Sequence, residues 1–407
     1  MDPVLDLPLE PRQRALIELV GRLGRERFTA RAADYDRDAR FPFENYADLR
    51  EHGLLGLCVP SDYGGRGADF RTYCLVAAEL GRYCGATALT YNMHACSMLW
   101  SGPMSDDLDM TNVQRARHRE RQRLHYRRVV QDGAIYAQPF SEGNASAAGA
   151  APFGTLARRV DGGYVLNGKK IFASLSGAAG YYGVLCTEDR GEASRKDTIY
   201  LAVPADSPGF DIVGDWDPLG MRATVSRNLV FKDAFVAEEN ELMPQGIYFQ
   251  AANRWPHMFF TLAPTYMGIA QAAHDFTVRY LRGEIEGLAP VKRRMYPTKQ
   301  IAVAQMFVTL EQTWALFLRA IGEARVDPPK SARLRLLAAQ YTVMENANAL
   351  CALAIRTCGG QSMLKSLPLE RLYRDSRCGS LMLPWTAELC LDRLGRDTLY
   401  EPGERDD

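Results

Sequence analysis

The chain has 407 residues, 47% hydrophobic and 24% charged, with 49 basic residues against 49 acidic ones. That length exceeds one small domain and allows two or three, and the composition is that of a folded rather than a disordered chain. Zero net charge removes any general electrostatic reason to expect nucleic acid or an anionic membrane as partner.

Nine cysteines, Cys58, Cys74, Cys84, Cys96, Cys186, Cys351, Cys358, Cys378 and Cys390, are scattered without a CxxC pair. An odd count in a long chain reads as reduced thiols and buried small hydrophobes, hence a cytoplasmic protein with no metal site. Met1–Pro8 lacks the basic and apolar regions of a leader, and no uninterrupted apolar stretch is expected to span a bilayer.

Residues 11–38 read as one helix, with Leu16, Ile17, Val20, Leu23 and Phe28 at helical spacing among Arg and Glu. Tyr46–His52 is a second, closed by Gly53, and Ser61–Gly67 is a glycine-dense turn. Asp69–Tyr83 and Ala86–Trp100 are apolar helices expected to pack on each other. The second carries Tyr91 and His94. Residues 115–128 then hold Arg115, Arg117, Arg119, Arg121, Arg123, Arg127 and Arg128. That segment is either a solvated helix face or a site for a phosphate-bearing group, since clustered guanidiniums suit phosphate geometry.

From Gly133 the pattern shortens to strands: Ala134–Ala137, Gly154–Val160, Tyr164–Lys170, Tyr181–Thr187, Thr198–Val203, Phe210–Val213 and Ser226–Phe231. Asp161-Gly-Gly supplies a hairpin turn. Helices resume with 247–282, broken or entered near Pro256 and bent at Pro264. Thr298–Val326, Ser331–Thr357, Leu369–Ser376 and Thr386–Asp397 follow. The fold class is therefore α+β, in three parts: an N-terminal helical domain (1–132), a middle β-domain (133–241) and a C-terminal helical domain (242–407).

The small residues of 143–150 permit close backbone approach to a planar or phosphorylated ligand. Ser141, Ser146, Ser174 and Thr224 can donate to ligand oxygens, and Phe172 can lie against a flat ring. The chain has no Walker loop, GxGxxG before a helix, HExxH or GxSxG, which argues against a nicotinamide Rossmann domain, a metalloprotease and a serine hydrolase. Residue chemistry alone stops at a ligand-binding α–β–α protein.

Six ordered segments go further: Gly53-Leu-Leu-Gly-Leu-Cys-Val-Pro with Tyr63-Gly-Gly-Arg-Gly; Ser141-Glu-Gly; Tyr164-Val-Leu-Asn-Gly-Lys-Lys-Ile-Phe-Ala-Ser; Gly220-Met-Arg-Ala-Thr-Val-Ser with Phe231-Lys-Asp; Arg294, Ile301 and Gln305 at their spacing; and Cys358-Gly-Gly-Gln with Pro368–Arg377. Together they resemble the acyl-CoA dehydrogenase family across nearly the whole chain. The resemblance implies an N-terminal helical domain, a barrel-like middle β-domain and a C-terminal four-helix bundle. It also implies FAD, and a homo-oligomer, dimer or tetramer, in which a neighbouring subunit completes the FAD site. By the same resemblance Ser141 and Ser146 lie in the flavin loop, with Phe172 against the isoalloxazine and Ser174 at its edge. Arg294 and Gln305 would reach the partner's FAD, and Arg356, Gly359 and Gly360 its pyrophosphate; Thr386 is a further cofactor-binding candidate.

The departures concern chemistry. The family's usual base Glu falls on Pro384, or on Leu383 if the register slips by one. The alternative base position on the first long C-terminal helix falls on Met258. Desaturation of an acyl thioester, carried by CoA or by an acyl carrier protein, removes a weakly acidic α-proton while flavin takes the β-hydride, so a positioned base is required. His257, His94, Tyr91 and Glu142 are the candidate substitutes. Three accounts stay open: a dehydrogenase with an unconventional base, a flavin-dependent monooxygenase on the same fold, and a non-catalytic acyl or flavin binder. The electron acceptor is not legible.

Overall fold

The computed structural model describes residues 7–143, 151–384, 386–401, 403, 404 and 406. The chain opens with α1 (Pro11–Leu23), which continues through a single π-helical turn (Gly24–Phe28) into α2 (Thr29–Asp38). The uninterrupted helix expected over 11–38 thus holds one wider turn. A Cβ at Gly24 would sit 2.0 Å from the Tyr83 ring, so this turn seats an aromatic of a neighbouring helix directly on backbone. Next come α3 (Phe43–Glu51), α4 (Phe70–Tyr83) and α5 (Gly85–Ser101). Asp69 caps α4, its side chain accepting from Thr72 N at 2.8 Å. The arginine-rich segment is α6 (Asn112–Val130), started by a Thr111–Gln114 capping box.

The middle of the chain is one eight-stranded sheet: β1 (Tyr136–Ala137), β2 (Leu156–Val160), β3 (Gly163–Ala173), β4 (Tyr181–Glu188), β5 (Thr198–Pro204), β6 (Phe210–Val213), β7 (Arg227–Ala237) and β8 (Glu241–Met243). Its order is β6-β7-β3-β2-β4-β5-β8, with β1 joining β4 in parallel. The expected barrel-like closure is not made by pairing: among the described residues the edge strands β6 and β8 do not bond to each other. Asp161–Gly162 turns the β2–β3 hairpin as read from sequence, with Gly162 at φ +73°. β3 and β7 are longer than the sequence suggested. Their register shifts at Leu166/Gly168 and at Lys170/Ala173, and such bulges interrupt the alternation by which strands are recognised.

The expected helix over 247–282 is three pieces: α7 (Ile247–Arg254), a 3₁₀ segment (Pro256–Leu262) and α8 (Ala263–Arg282). Trp255, at φ −121° and ψ 61°, is forced out of helical geometry by the following Pro256. α9 (Pro297–Gly322), α10 (Lys330–Cys358), α11 (Leu369–Arg377) and α12 (Ala387–Leu399) complete the chain, and α8, α9, α11 and α12 all pack on α10. By length and composition alone α9 would be apolar enough to cross a membrane, although Lys299, Glu311 and Arg319 interrupt it. In the fold it is a bundle helix, with Met306, Leu310, Trp314 and Phe317 buried.

The N-terminal helices and the bundle meet backbone to backbone. A Cβ on Gly81 of α4 would lie 2.5 Å from Thr265 O, and one on Gly268 of α8 would lie 2.1 Å from Ala78 O. Only glycine lets the two helices cross this closely.

Candidate active site

The site is built where β3 leaves the sheet. Ile171 N donates to Ser141 O at 2.8 Å, tying the loop after β1 to the end of β3. Leu175 N and Ser176 N donate to Thr224 O and Val225 O at 3.0 and 3.1 Å, tying that end to the 220–226 loop. Four of the seven non-glycine residues with positive φ among the described residues lie here: Phe172 (+53°), Leu175 (+66°), Met221 (+53°) and Val225 (+46°). Bulky and β-branched residues enter this region only when their surroundings over-determine them, and such strain clusters at ligand sites. The result is a shelf. Phe172 is 64% exposed and meets Trp216 edge-on. Behind it Ser174 Oγ and Ser226 Oγ lie 2.9 Å apart, and Thr224 Oγ1 lies 2.7 Å from Ser226 Oγ.

A buried ion pair supports the shelf from below. Lys170, two residues before Phe172, is fully buried and donates to Glu142 Oε1 and to Leu185 O, both at 2.6 Å. Its ammonium also faces the Phe153 ring at 4.4 Å. Glu142, next to Ser141, accepts further bonds from Gly154 N (2.6 Å), Thr155 N (3.0 Å) and Thr155 Oγ1 (2.6 Å). Burial works to raise the Glu142 pKa, but the Lys170 charge and these donors outweigh it and hold the carboxyl below its usual range.

The four candidate bases are not brought together at the shelf. Glu142 is committed to Lys170 and to three other donors, so it is a structural carboxylate rather than a free base. His94 is fully buried on α5. Its Nδ1 accepts from Tyr136 N at 3.1 Å, so its Nε2 carries the hydrogen and donates to Leu55 O at 2.9 Å. Burial pushes its pKa down to about 4, and neither nitrogen is left to take a proton. Tyr91 donates its hydroxyl to Leu54 O at 2.6 Å, and burial raises its pKa well above the usual value. His257 differs. It is buried on the 3₁₀ segment against Phe70 and Trp255, and neither ring nitrogen has a hydrogen-bond partner among the described residues. Burial lowers its pKa to about 4. Met258 beside it is fully buried, and Leu383 and Pro384 hold the other base position.

Of the cofactor candidates, Ser141, Phe172 and Ser174 share the shelf. Ser146 lies outside the described residues. Arg356 is exposed near the end of α10, followed by Gly359 (φ +85°) and Gly360, and nothing lies within 4 Å of a Cβ built on either glycine. Thr386 caps α12, its hydroxyl accepting from Leu389 N at 3.3 Å. Arg294 and Gln305 are exposed on the α8–α9 side, where Arg294 lines a groove of about 430 Å³ with His274, Lys299 and Phe307. Sequence reading missed the Ser174–Ser226–Thr224 chain and the role of Lys170. The second had a signal. Period-two alternation places Lys170 on the face of Tyr164 and Leu166, and a lysine there needs a counter-charge.

Comparison with known proteins resolves the family. Residues 10–102 match the acyl-CoA dehydrogenase N-terminal domain, 138–234 its middle domain and 260–381 its C-terminal domain. The short-chain specific acyl-CoA dehydrogenase of mouse mitochondria is 31% identical over 351 residues, covering 85% of this chain and 80% of the mouse protein. The chain belongs to the acyl-CoA dehydrogenase family. Members of this family are flavoprotein oxidoreductases that bind FAD. The L-evernosamine nitrososynthase of a Micromonospora species is 29% identical over 415 residues, covering 97% of this chain and 92% of that protein. The fold is also shared with KijD3 solved with FMN and a dTDP-amino-keto sugar, at a TM-score of 0.82 and 24% identity, covering 97% of this chain and 96% of that one. The shelf fits a flavin ring: an exposed aromatic side chain, Phe172, with the half-buried hydroxyl of Ser174 beside it.

Proposed function

We propose that this family member is a flavin-dependent oxygenase that works without a carboxylate base. One observation carries the reading. Both base positions hold side chains that take no proton, Met258 and Leu383/Pro384, while Glu142, His94 and Tyr91 spend their polar atoms within the fold. A bound FAD supplies two-electron and oxygen chemistry. The Ser141 loop and Phe172 would hold its ring plane, with the half-buried Ser174 at its edge; Thr224 spends its hydroxyl hydrogen on Met221 O and, with Ser226, braces Ser174 from behind. In a homo-oligomer, Arg356 and Gly359–Gly360 of a second copy would take the FAD pyrophosphate, as a guanidinium and open backbone suit that group. Such chemistry would place one oxygen atom of O₂ on the substrate and release the other as water, with two electrons from a separate reductase and two protons from solvent. The resemblance to a nitrososynthase agrees with this reading.

The protein acts as a cytoplasmic homo-oligomer. The exposed apolar residues Ile301, Phe307 and Val308 of α9 support a second copy on that face, beside Arg294 and Gln305. A second reading, α,β-desaturation of an acyl thioester, has one observation in its favour: the two nitrogens of His257, unpartnered among the described residues. The deciding experiment loads the protein with FAD and titrates it anaerobically with acyl-CoA and acyl-carrier thioesters. Oxygen uptake with a reduced flavin supply is measured in parallel. Unbleached flavin with substrate-dependent oxygen uptake supports the oxygenase. Bleaching abolished by His257→Ala supports the dehydrogenase and refutes the first reading.

A further inference from the structure

The arginines of α6 fall into two rows. Arg117, Arg121 and Arg128 face the sheet and are consumed by the fold. Arg117 pairs with Glu238, Arg121 with Glu241, and Arg128 donates to Asn240 Oδ1 at 2.7 Å while stacking on Tyr181 at 4.5 Å. The other row, Arg115, Arg119, Arg123 and Arg127, repeats every fourth residue and so forms one ridge. Arg115 folds back onto the carbonyls of Asp106 and Leu108. Arg119, Arg123 and Arg127 are exposed, and among the described residues none makes an ion pair; Arg123 reaches only Tyr63 OH, at 3.4 Å.

Like charges at this spacing repel and weaken a helix, so helix stability does not explain the row. From Arg119 to Arg127 it spans about 12 Å, more than two helical turns, too long for one phosphate group and matched to the face of a helix. It is also bounded. Asp106 and Asp107 precede it, Asp132 follows it, Glu238 and Glu239 lie on its inner flank, and the exposed Glu120 stands one turn before Arg123. A long polyanion or a lipid surface would meet all of these carboxylates, whereas a small protein with a compact acidic face would meet Glu120 alone. The inner side of α6 meets the strand that leads to the flavin loop: His125 Nδ1 lies 2.9 Å from Tyr136 OH, five residues before Ser141.

We infer that the outer arginine row of α6 docks the acidic helix of a small carrier protein, which brings the substrate to the shelf as a thioester on a phosphopantetheine arm. The choice of cargo rests on the flavin site proposed above; the docking does not, and the two are read separately. The test uses FAD-loaded full-length protein and fluorescently labelled holo-acyl carrier protein, followed by anisotropy at low and physiological ionic strength. Wild type is compared with R119E/R123E/R127E and with the lysine triple R119K/R123K/R127K, and flavin absorbance is recorded on each sample. Expected is salt-sensitive binding that weakens about tenfold or more on charge reversal and is largely kept by lysine, with flavin loading unchanged. The docking is overturned if the carrier does not bind at low ionic strength, or binds the reversed variant equally. It is also overturned if a single-stranded oligonucleotide, phosphatidylglycerol vesicles or an acidic flavodoxin uses the row in the carrier's place. Loss of flavin loading in wild type would instead strike the cofactor reading.

Discussion

The Lys170–Glu142 pair makes a sharp, asymmetric prediction. Breaking a buried ion pair by removing one partner generally costs about 3–5 kcal/mol, because the survivor is left charged and undercompensated. The two ends are not equivalent here. In Lys170→Met, the Glu142 carboxylate keeps three donors, Gly154 N, Thr155 N and Thr155 Oγ1, so the loss is expected near 3 kcal/mol. In Glu142→Ala, the ammonium keeps, among the described residues, only Leu185 O and the Phe153 face, and those three donors lose their acceptor, so the loss is expected at about 5 kcal/mol. The double change Lys170→Met/Glu142→Gln retains an acceptor for the loop without a buried charge and recovers most of the stability. At about 2.1 cal/mol/K per residue of unfolding entropy, the single changes lower the melting temperature by about 4 and 6 °C. The assay is thermal unfolding with FAD titration of each variant. FAD affinity follows the same order, since Ser141 and Phe172 flank the pair. A Lys170→Met protein that melts and binds FAD like wild type would refute the argument.

Four buried histidines predict acid sensitivity. His94, His118 and His257 are lowered by burial to about 4, and His125 to about 3, from 6.5. Their stabilisation is full above pH 6.5 and is lost as the pH falls towards 4. Unfolding at pH 5 therefore takes up about three to four protons, measurable by calorimetry in buffers of different ionisation heat. Glu142, also depressed, adds a loss below its usual carboxyl range, which Glu142→Gln removes from the pH profile of melting. Phe172→Ala leaves the melting temperature of the flavin-free protein unchanged but weakens FAD by about 0.5–1.5 kcal/mol, read by fluorescence titration. Gly24→Ala drives a methyl into the Tyr83 ring and destabilises by about 1–3 kcal/mol, read by denaturant unfolding.

Helix identity was legible wherever apolar spacing ran uninterrupted, as in α4 and α5, because burial on one face enforces that spacing. Local backbone choices were not. The π turn at Gly24 answers to Tyr83, distant in sequence, and the break at Trp255 could be placed only near Pro256. In the site, the shelf residues Ser141, Phe172 and Ser174 were visible as a resemblance. The engagement of His94 was hidden, because its partners are backbone atoms of Leu55 and Tyr136, and backbone atoms leave no mark in the side-chain pattern. The engagement of Glu142 was hidden in part for the same reason: two of its donors are the backbone N–H groups of Gly154 and Thr155, and the others, Thr155 Oγ1 and Lys170 Nζ, come from residues distant in sequence.

The contact of Gly81 with Thr265 and of Gly268 with Ala78 bears on how this architecture can be re-engineered. Swapping the C-terminal bundle for that of a relative looks simple, since the bundle is contiguous in sequence. A chimera with a larger residue on either side of the crossing would wedge α4 from α8 and shift every helix stacked on them. A working exchange must carry both glycines, or treat the first helices and the bundle as one inherited unit and vary only the sheet between them.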